Sequence, residues 1–170
     1  CMTILVTERL TLSRLSYDDR AFIVELVNEP SFIHYIGDKN VSTEDDARRY
    51  LREGPIGSYE KFGYGLFLVS LKDAACPAGI CGLVKRPEFD DPDIGFAFLK
   101  RYCGQGYALE SAKAVLQYGF SELGLTRIIA MADADNGRSV GLLAKLDLKF
   151  ERMVRMPGDD HDINLYAIEA

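Results

Sequence analysis

Apolar residues recur along this chain either at every second position or at every third and fourth, and the switches between the two spacings set out a succession of strands and helices. Leu10-Thr-Leu-Ser-Arg-Leu15 alternates and predicts a strand over residues 10–15. Ser16 can cap the next helix, with Asp19 three residues on, and Phe22, Ile23, Leu26 and Val27 give that helix one buried stripe. Pro30 ends it. Ser42 or Thr43 opens a second, more charged helix through Tyr50 and Leu51, closed by Gly54-Pro55. Strands follow over 65–71 and 78–85, joined by a turn around 73–77. Ile94-Gly-Phe-Ala-Phe-Leu99 is short and apolar, the pattern of a strand buried on both faces. Behind it, Ala108, Ala112, Val115, Leu116, Gly119, Phe120 and Leu123 mark the inner face of a long helix that starts at Tyr107.

The remainder reads as a strand over 127–132, a short helix over 138–146, and strands near 150–156 and 164–169. Asn136-Gly137 alone would suggest a hairpin turn, but Val140, Leu143 and Leu146 are spaced by three and favour the helix. Hairpin strands in series, then a strand–helix–strand–helix unit, predict an α/β (α+β) chain. Its central sheet is mixed and mostly antiparallel, of about six to seven strands, with helices on both faces. Residues 1–170 read as a single domain.

Composition narrows the classes. The chain is 48% hydrophobic and 27% charged, ordinary for a globular protein. No apolar run approaches the roughly 18 residues of a membrane helix, and the N-terminal residues lack the pattern of a secretory signal. The four cysteines do not have metal-ligand spacing, so no metal is expected and a cytoplasmic location with reduced thiols is. A net charge of −6 argues against nucleic acid as a partner and suits a cationic substrate. The state of assembly, monomer or homodimer, is left open.

Chemistry concentrates where the 94–99 strand runs into the long helix. Gly104 and Gly106 sit at that junction, where the first backbone N–H groups of the helix lack intrahelical partners and the macrodipole favours an anion. Without Cβ atoms, the two glycines let a bulky oxyanion approach closely. A P-loop would need Gly-Lys-Ser/Thr after such a loop, and a dinucleotide fingerprint would need glycine where Leu109 stands. Neither is present, so the expectation is a phosphate site of another kind.

The pattern Arg101-x-x-Gly104-x-Gly106-Tyr107-Ala108 resembles the pyrophosphate loop of the GCN5-related N-acetyltransferases, or GNAT enzymes, which use acetyl-coenzyme A. Asn136-x-x-Ser139, followed by Lys145-Leu146, resembles the segment that flanks the coenzyme's pantetheine arm in that family. Thr7-Glu-Arg-Leu-Thr-Leu12 and Gly106-Tyr-Ala-Leu-Glu110 are similar to motifs of its RimJ/RimL-like, ribosomal-protein-acetylating group. Asp147 and Leu148 depart from the family's usual Gly-Phe, and Cys103 stands where the group has tryptophan.

The resemblance implies a sheet splayed between two parallel strands, with acetyl-coenzyme A inserted there as co-substrate. It places Phe98, Leu99 and Lys100 along the pantetheine, with a backbone N–H near Leu99 polarising the thioester carbonyl. It assigns Arg101, Gly104, Gln105, Gly106, Tyr107 and Ala108 to the pyrophosphate, and Asn136, Ser139, Leu143 and Lys145 to the arm. The family's usual tyrosine acid falls on Leu143, which leaves Ser139 either as the acid, directly or through water, or as a capping residue. Asp93 is either the base or a solvated loop acid, and Glu110 reads as an ion-pair partner. Phe32, His34 and Tyr35 border the acceptor, with Tyr59 as a further apolar wall and His161 in a second bordering segment. Acidic clusters at Glu88, Asp90, Asp91 and Asp93 and at Asp159, Asp160 and Asp162 would attract a cationic amine or a basic peptide N-terminus. The implied activity is direct acetyl transfer to a primary amine, the acceptor being a ribosomal-protein or other peptide N-terminus or a small cationic amine. A polyamine or antibiotic acetyltransferase and a coenzyme A-binding module without transferase activity are the alternatives.

Overall fold

The computed structural model describes residues 2–170. Two antiparallel blocks of strands make up its one sheet. The first contains β1 (Thr3–Val6), β2 (Leu10–Arg14), β3 (Leu66–Leu71), β4 (Cys76–Val84) and β5 (Asp93–Phe98), each antiparallel to the one before. The second contains β6 (Arg127–Ala132), β7 (Lys149–Val154) and β8 (Ile163–Glu169), with β8 in the middle. The blocks meet where β5 and β6 run parallel, giving the order β1-β2-β3-β4-β5-β6-β8-β7. Eight strands stand where six or seven were expected; the addition is β1, whose unalternating Thr-Ile-Leu-Val gave no period-two signal.

Strand alternation sends side chains to two cores. Phe67, Val69, Cys81 and Leu83 face α5 (Tyr107–Ser121), where Ala112, Val115 and Leu116 meet them. Leu68 and Ile80 face the other way, against Ile23 and Leu26 of α1 (Arg20–Val27) and Ala47 and Leu51 of α3 (Glu44–Leu51). Helices therefore cover both faces.

Three local readings change. Ser16 and Asp19 do form a capping box, but over a 3₁₀ turn at Tyr17–Asp19 that leads into α1. Pro30 does not merely end α1; it occupies the first turn of a short helix, α2 (Pro30–Tyr35), where its missing N–H costs nothing. Gly54-Pro55 does not close the α3 helix. The chain widens into a π-helical stretch at Arg52–Ile56, which accommodates the proline, and continues as α4 (Gly57–Phe62) to a left-handed Gly63.

Candidate active site

β5 and β6 share one registered pair, Asp93 with Ile129, beside a hydrogen bond of 3.0 Å from Ile129 N to Pro92 O. Beyond that point the strands part. Leu99 N donates to Ala78 O at 3.0 Å, so the odd-numbered residues of β5 direct their backbone groups to β4. By that alternation Ile94, Phe96 and Phe98 direct their N–H and C=O groups into the opening toward β6. This narrows the expectation of a backbone N–H near Leu99. The N–H of Leu99 is already committed, and its side chain is fully buried against the α1–α3 core. The free donors belong to Phe96 and Phe98. Phe96 carries no signal in the sequence because alternation along a strand has no visible phase until its partner is known.

The glycine loop lies at the end of β5. Gly104 and Gly106 have φ of +79° and +83°, left-handed values that glycine adopts without strain. A Cβ at Gly104 would meet nothing within 4 Å, so the space outside the loop is open. Gly106 is the N-cap of α5 and offers no side-chain cap, which leaves the first N–H groups of that helix without a side-chain acceptor from the cap. Open backbone, no Cβ and a helix N-terminus fit a diphosphate. Gln105 Nε2 steadies the loop by donating to Arg101 O at 3.2 Å. Half-buried Tyr107 and Ala108 pack against the α5 core. Arg101, expected on the phosphates, is engaged elsewhere: its Nη1 lies 3.1 Å from Glu25 of α1. Lys100 is exposed, and its N–H meets Glu29 Oε1 at 3.3 Å.

On the far side of the opening stands α6 (Gly137–Lys145). Its cap is Asn136, whose Oδ1 accepts from Ser139 N at 3.3 Å. The capping task that could have occupied the Ser139 hydroxyl is thus done by Asn136, and Ser139 is half-buried beside it. Leu143 is sealed in the α5 core at 1% exposure, so it packs and does not line the opening. Lys145 is exposed. Asp147, where the resembling motif has glycine, takes φ +66°, and Leu148 N still donates to Leu143 O at 3.0 Å. The helix ends as a glycine would end it.

Asp93 occupies the point where the strands part. It is 4% exposed and pairs with Arg86 Nε at 2.7 Å. Burial pushes its carboxyl up from the usual range, opposed by the charge and hydrogen bond of Arg86. Arg86 carried no sequence signal. Phe32 is buried in the α1–α3 core and cannot border an acceptor. His34 and Tyr35 are exposed on α2, edge to face at 4.4 Å. Tyr59 is structural: its hydroxyl accepts from Leu15 N at 3.0 Å and donates to Leu66 O, and burial lifts its pKa to about 12. His161 joins the β7–β8 loop to the end of β6, with Nε2 2.6 Å from Asp133 and Nδ1 2.8 Å from Asp160. A cavity of about 210 Å³ lined by Phe89, Asp91, Arg127 and Arg152 lies at the opposite end of β6, away from the opening.

A family model described as "Acetyltransferase (GNAT) domain" matches residues 9–149. The chain is 31% identical to the uncharacterized N-acetyltransferase YnaD of Bacillus subtilis (strain 168), over 96% of this chain and 95% of that one. Among solved structures, a GNAT-family acetyltransferase from Bacillus anthracis superposes with a TM-score of 0.81 at 29% identity, covering 99% of this chain and 98% of that one. A ribosomal-protein-S5-alanine acetyltransferase from Vibrio fischeri shares the fold, with a TM-score of 0.81 at 17% identity, covering 99% and 97%.

Proposed function

The chain belongs to the GNAT acetyltransferase family, and on that premise we propose that it moves an acetyl group from acetyl-coenzyme A directly to a peptide or protein N-terminal amine, with both substrates bound together. The observation that carries this reading is the opening between β5 and β6, flanked by the left-handed glycine loop at one end and α6 on the other side. The loop and the N-terminus of α5 hold the diphosphate, and Asn136 keeps its amide donors for the arm while its oxygen caps α6. Bound there, the coenzyme supplies an acetyl thioester whose carbonyl gains negative charge as the amine attacks. The N–H groups of Phe96 and Phe98 are the donors available to that oxygen. As the N–C bond forms and the C–S bond breaks, Ser139 protonates the departing sulfur, directly or through water. Asp93 takes the proton from the amine through water, its basicity raised by burial and moderated by Arg86.

The acceptor enters between α2 and the His161 loop, past His34 and Tyr35. The name of the V. fischeri protein, a ribosomal-protein-S5-alanine acetyltransferase, supports a protein acceptor. The acidic loops support a cationic small molecule less than their charge count suggests. Asp162 pairs with Arg155, Asp160 with His161 and Asp91 with Arg127. With Asp93 on Arg86, this leaves only Glu88, Asp90 and Asp159 of the two clusters outside any ion pair among the described residues. No described helix is long and apolar enough to cross a membrane. The deciding experiment follows thiol release from acetyl-coenzyme A with peptides starting in Ser, Thr or Ala beside polyamines and aminoglycosides. Turnover with the peptides is expected. Turnover confined to polyamines or aminoglycosides overturns the peptide reading, and none with any amine despite bound coenzyme overturns transfer.

A further inference from the structure

Arg9 lies on the turn between β1 and β2, far in sequence from the glycine loop, yet it closes on that loop from outside. Its Nε is 2.7 Å from Glu110 Oε1 in the first turn of α5, and its Nη1 donates to Gln105 O at 2.9 Å. Its guanidinium carbon stands 4.5 Å from the centre of the Tyr107 ring. Its Nη2 is 3.2 Å from where a Cβ on Gly106 would be. The same turn grips Glu110 twice more, through Arg9 N at 2.9 Å and Thr7 Oγ1 at 2.5 Å. Thus Gln105, Tyr107 and Glu110, around the N-terminus of α5, all touch one side chain, which also fills the space a Cβ on Gly106 would enter.

Glu110 makes the arrangement consequential. A carboxylate in the first turn suits the helix macrodipole, but it repels an anion seeking the same N–H groups. Burial works against its charge, yet the donors of Thr7 and Arg9 outweigh that and hold its pKa below the usual range, so it stays ionised. The planar fork of an arginine can cancel that charge while holding a carbonyl in the same plane, which an ammonium cannot. We propose that Arg9 is a positioning residue for the donor's diphosphate: it fixes the Gln105–Gly106 backbone in its anion-binding shape and neutralises the carboxylate beside it. This rests on the reading of the loop as the coenzyme's phosphate site.

Calorimetry with coenzyme A and with pantetheine, which lacks the nucleotide and its phosphates, separates bracing from general support of the fold. Arg9→Ala is expected to weaken coenzyme A binding about tenfold or more, roughly one decade in Kd, while pantetheine binds as to the unchanged protein. Arg9→Lys, which keeps the charge without the fork, should lose several-fold. Arg9→Ala combined with Glu110→Gln should bind coenzyme A more tightly than Arg9→Ala alone, because the uncompensated carboxylate is gone. Unchanged coenzyme A affinity in either folded single variant overturns the proposal. So do equal losses for coenzyme A and pantetheine, and a double variant no tighter than Arg9→Ala. An unmodified protein that binds no coenzyme A would instead overturn the phosphate site itself.

Discussion

Asn136, not the Ser139 hydroxyl, caps α6, which leaves that hydroxyl free for the proposed proton transfer. Asn136→Ala should therefore cost about 1 kcal/mol of stability. Ser139→Ala should leave the melting temperature nearly unchanged and lower turnover by roughly 10²-fold, with coenzyme A affinity intact. Thermal melts beside single-turnover kinetics check the pair; a Ser139→Ala enzyme of full activity excludes the hydroxyl as the acid. At Asp147 the residue and its backbone disagree. Its φ of +66° is tolerated by aspartate at a price that glycine escapes. Asp147→Gly should therefore raise stability by about 0.5–1 kcal/mol, offset in part by glycine's greater freedom when unfolded, as denaturant titration would show.

At the scale of elements, the β7–β8 loop is held by His161 between Asp133 and Asp160. Those carboxylates raise the imidazole pKa from 6.5 to about 9, the hydrogen bond to Asp160 contributing most. A raised basic pKa means the tether is fully present below pH 6.5 and is lost as pH climbs through about 9. The site is exposed, so water keeps its energetic weight small and the effect is one of loop order. Amide relaxation of residues 157–162 should show the loop loosening over that window; unchanged relaxation would mean the contact does not hold the loop. Elements of this kind divide sharply in how legible they were. The helix stripes and the glycine loop are local patterns that appear where the sequence put them, the cap of α3 falls on Thr43 of the two candidates, and the Ser16 capping box forms one 3₁₀ turn ahead of its helix. What stayed hidden depends on partners distant in the chain. The side chain of Phe32 belongs to the α1–α3 core, the donor expected near Leu99 resolves onto Phe98 only once the β4 register is known, and Arg9 and Arg86 have meaning only beside Glu110 and Asp93.

Seen as a whole, the molecule is two half-sheets that share a single rung. By the β4 register the backbone amides of Phe96 and Phe98 point away from β4, toward a β6 that has already diverged, while those of Gly95 and Ala97 are locked against β4. On the proposed binding mode, a donor substrate seated in the opening would act as a missing ninth strand, completing the ladder from one block to the other. Hydrogen exchange should then be two-toned in the free protein, fast at Phe96 and Phe98 and slow at their odd-numbered neighbours. Adding coenzyme A should erase the contrast; persistence of fast exchange at both phenylalanines would mean the arm runs elsewhere. In the free enzyme the seam between β5 and β6 is therefore bridged by side chains more than by backbone: Ile128, Ala130 and Tyr166 of one block share a core with Cys81 and Ile94 of the other, and a bound donor would add the missing ladder to that core.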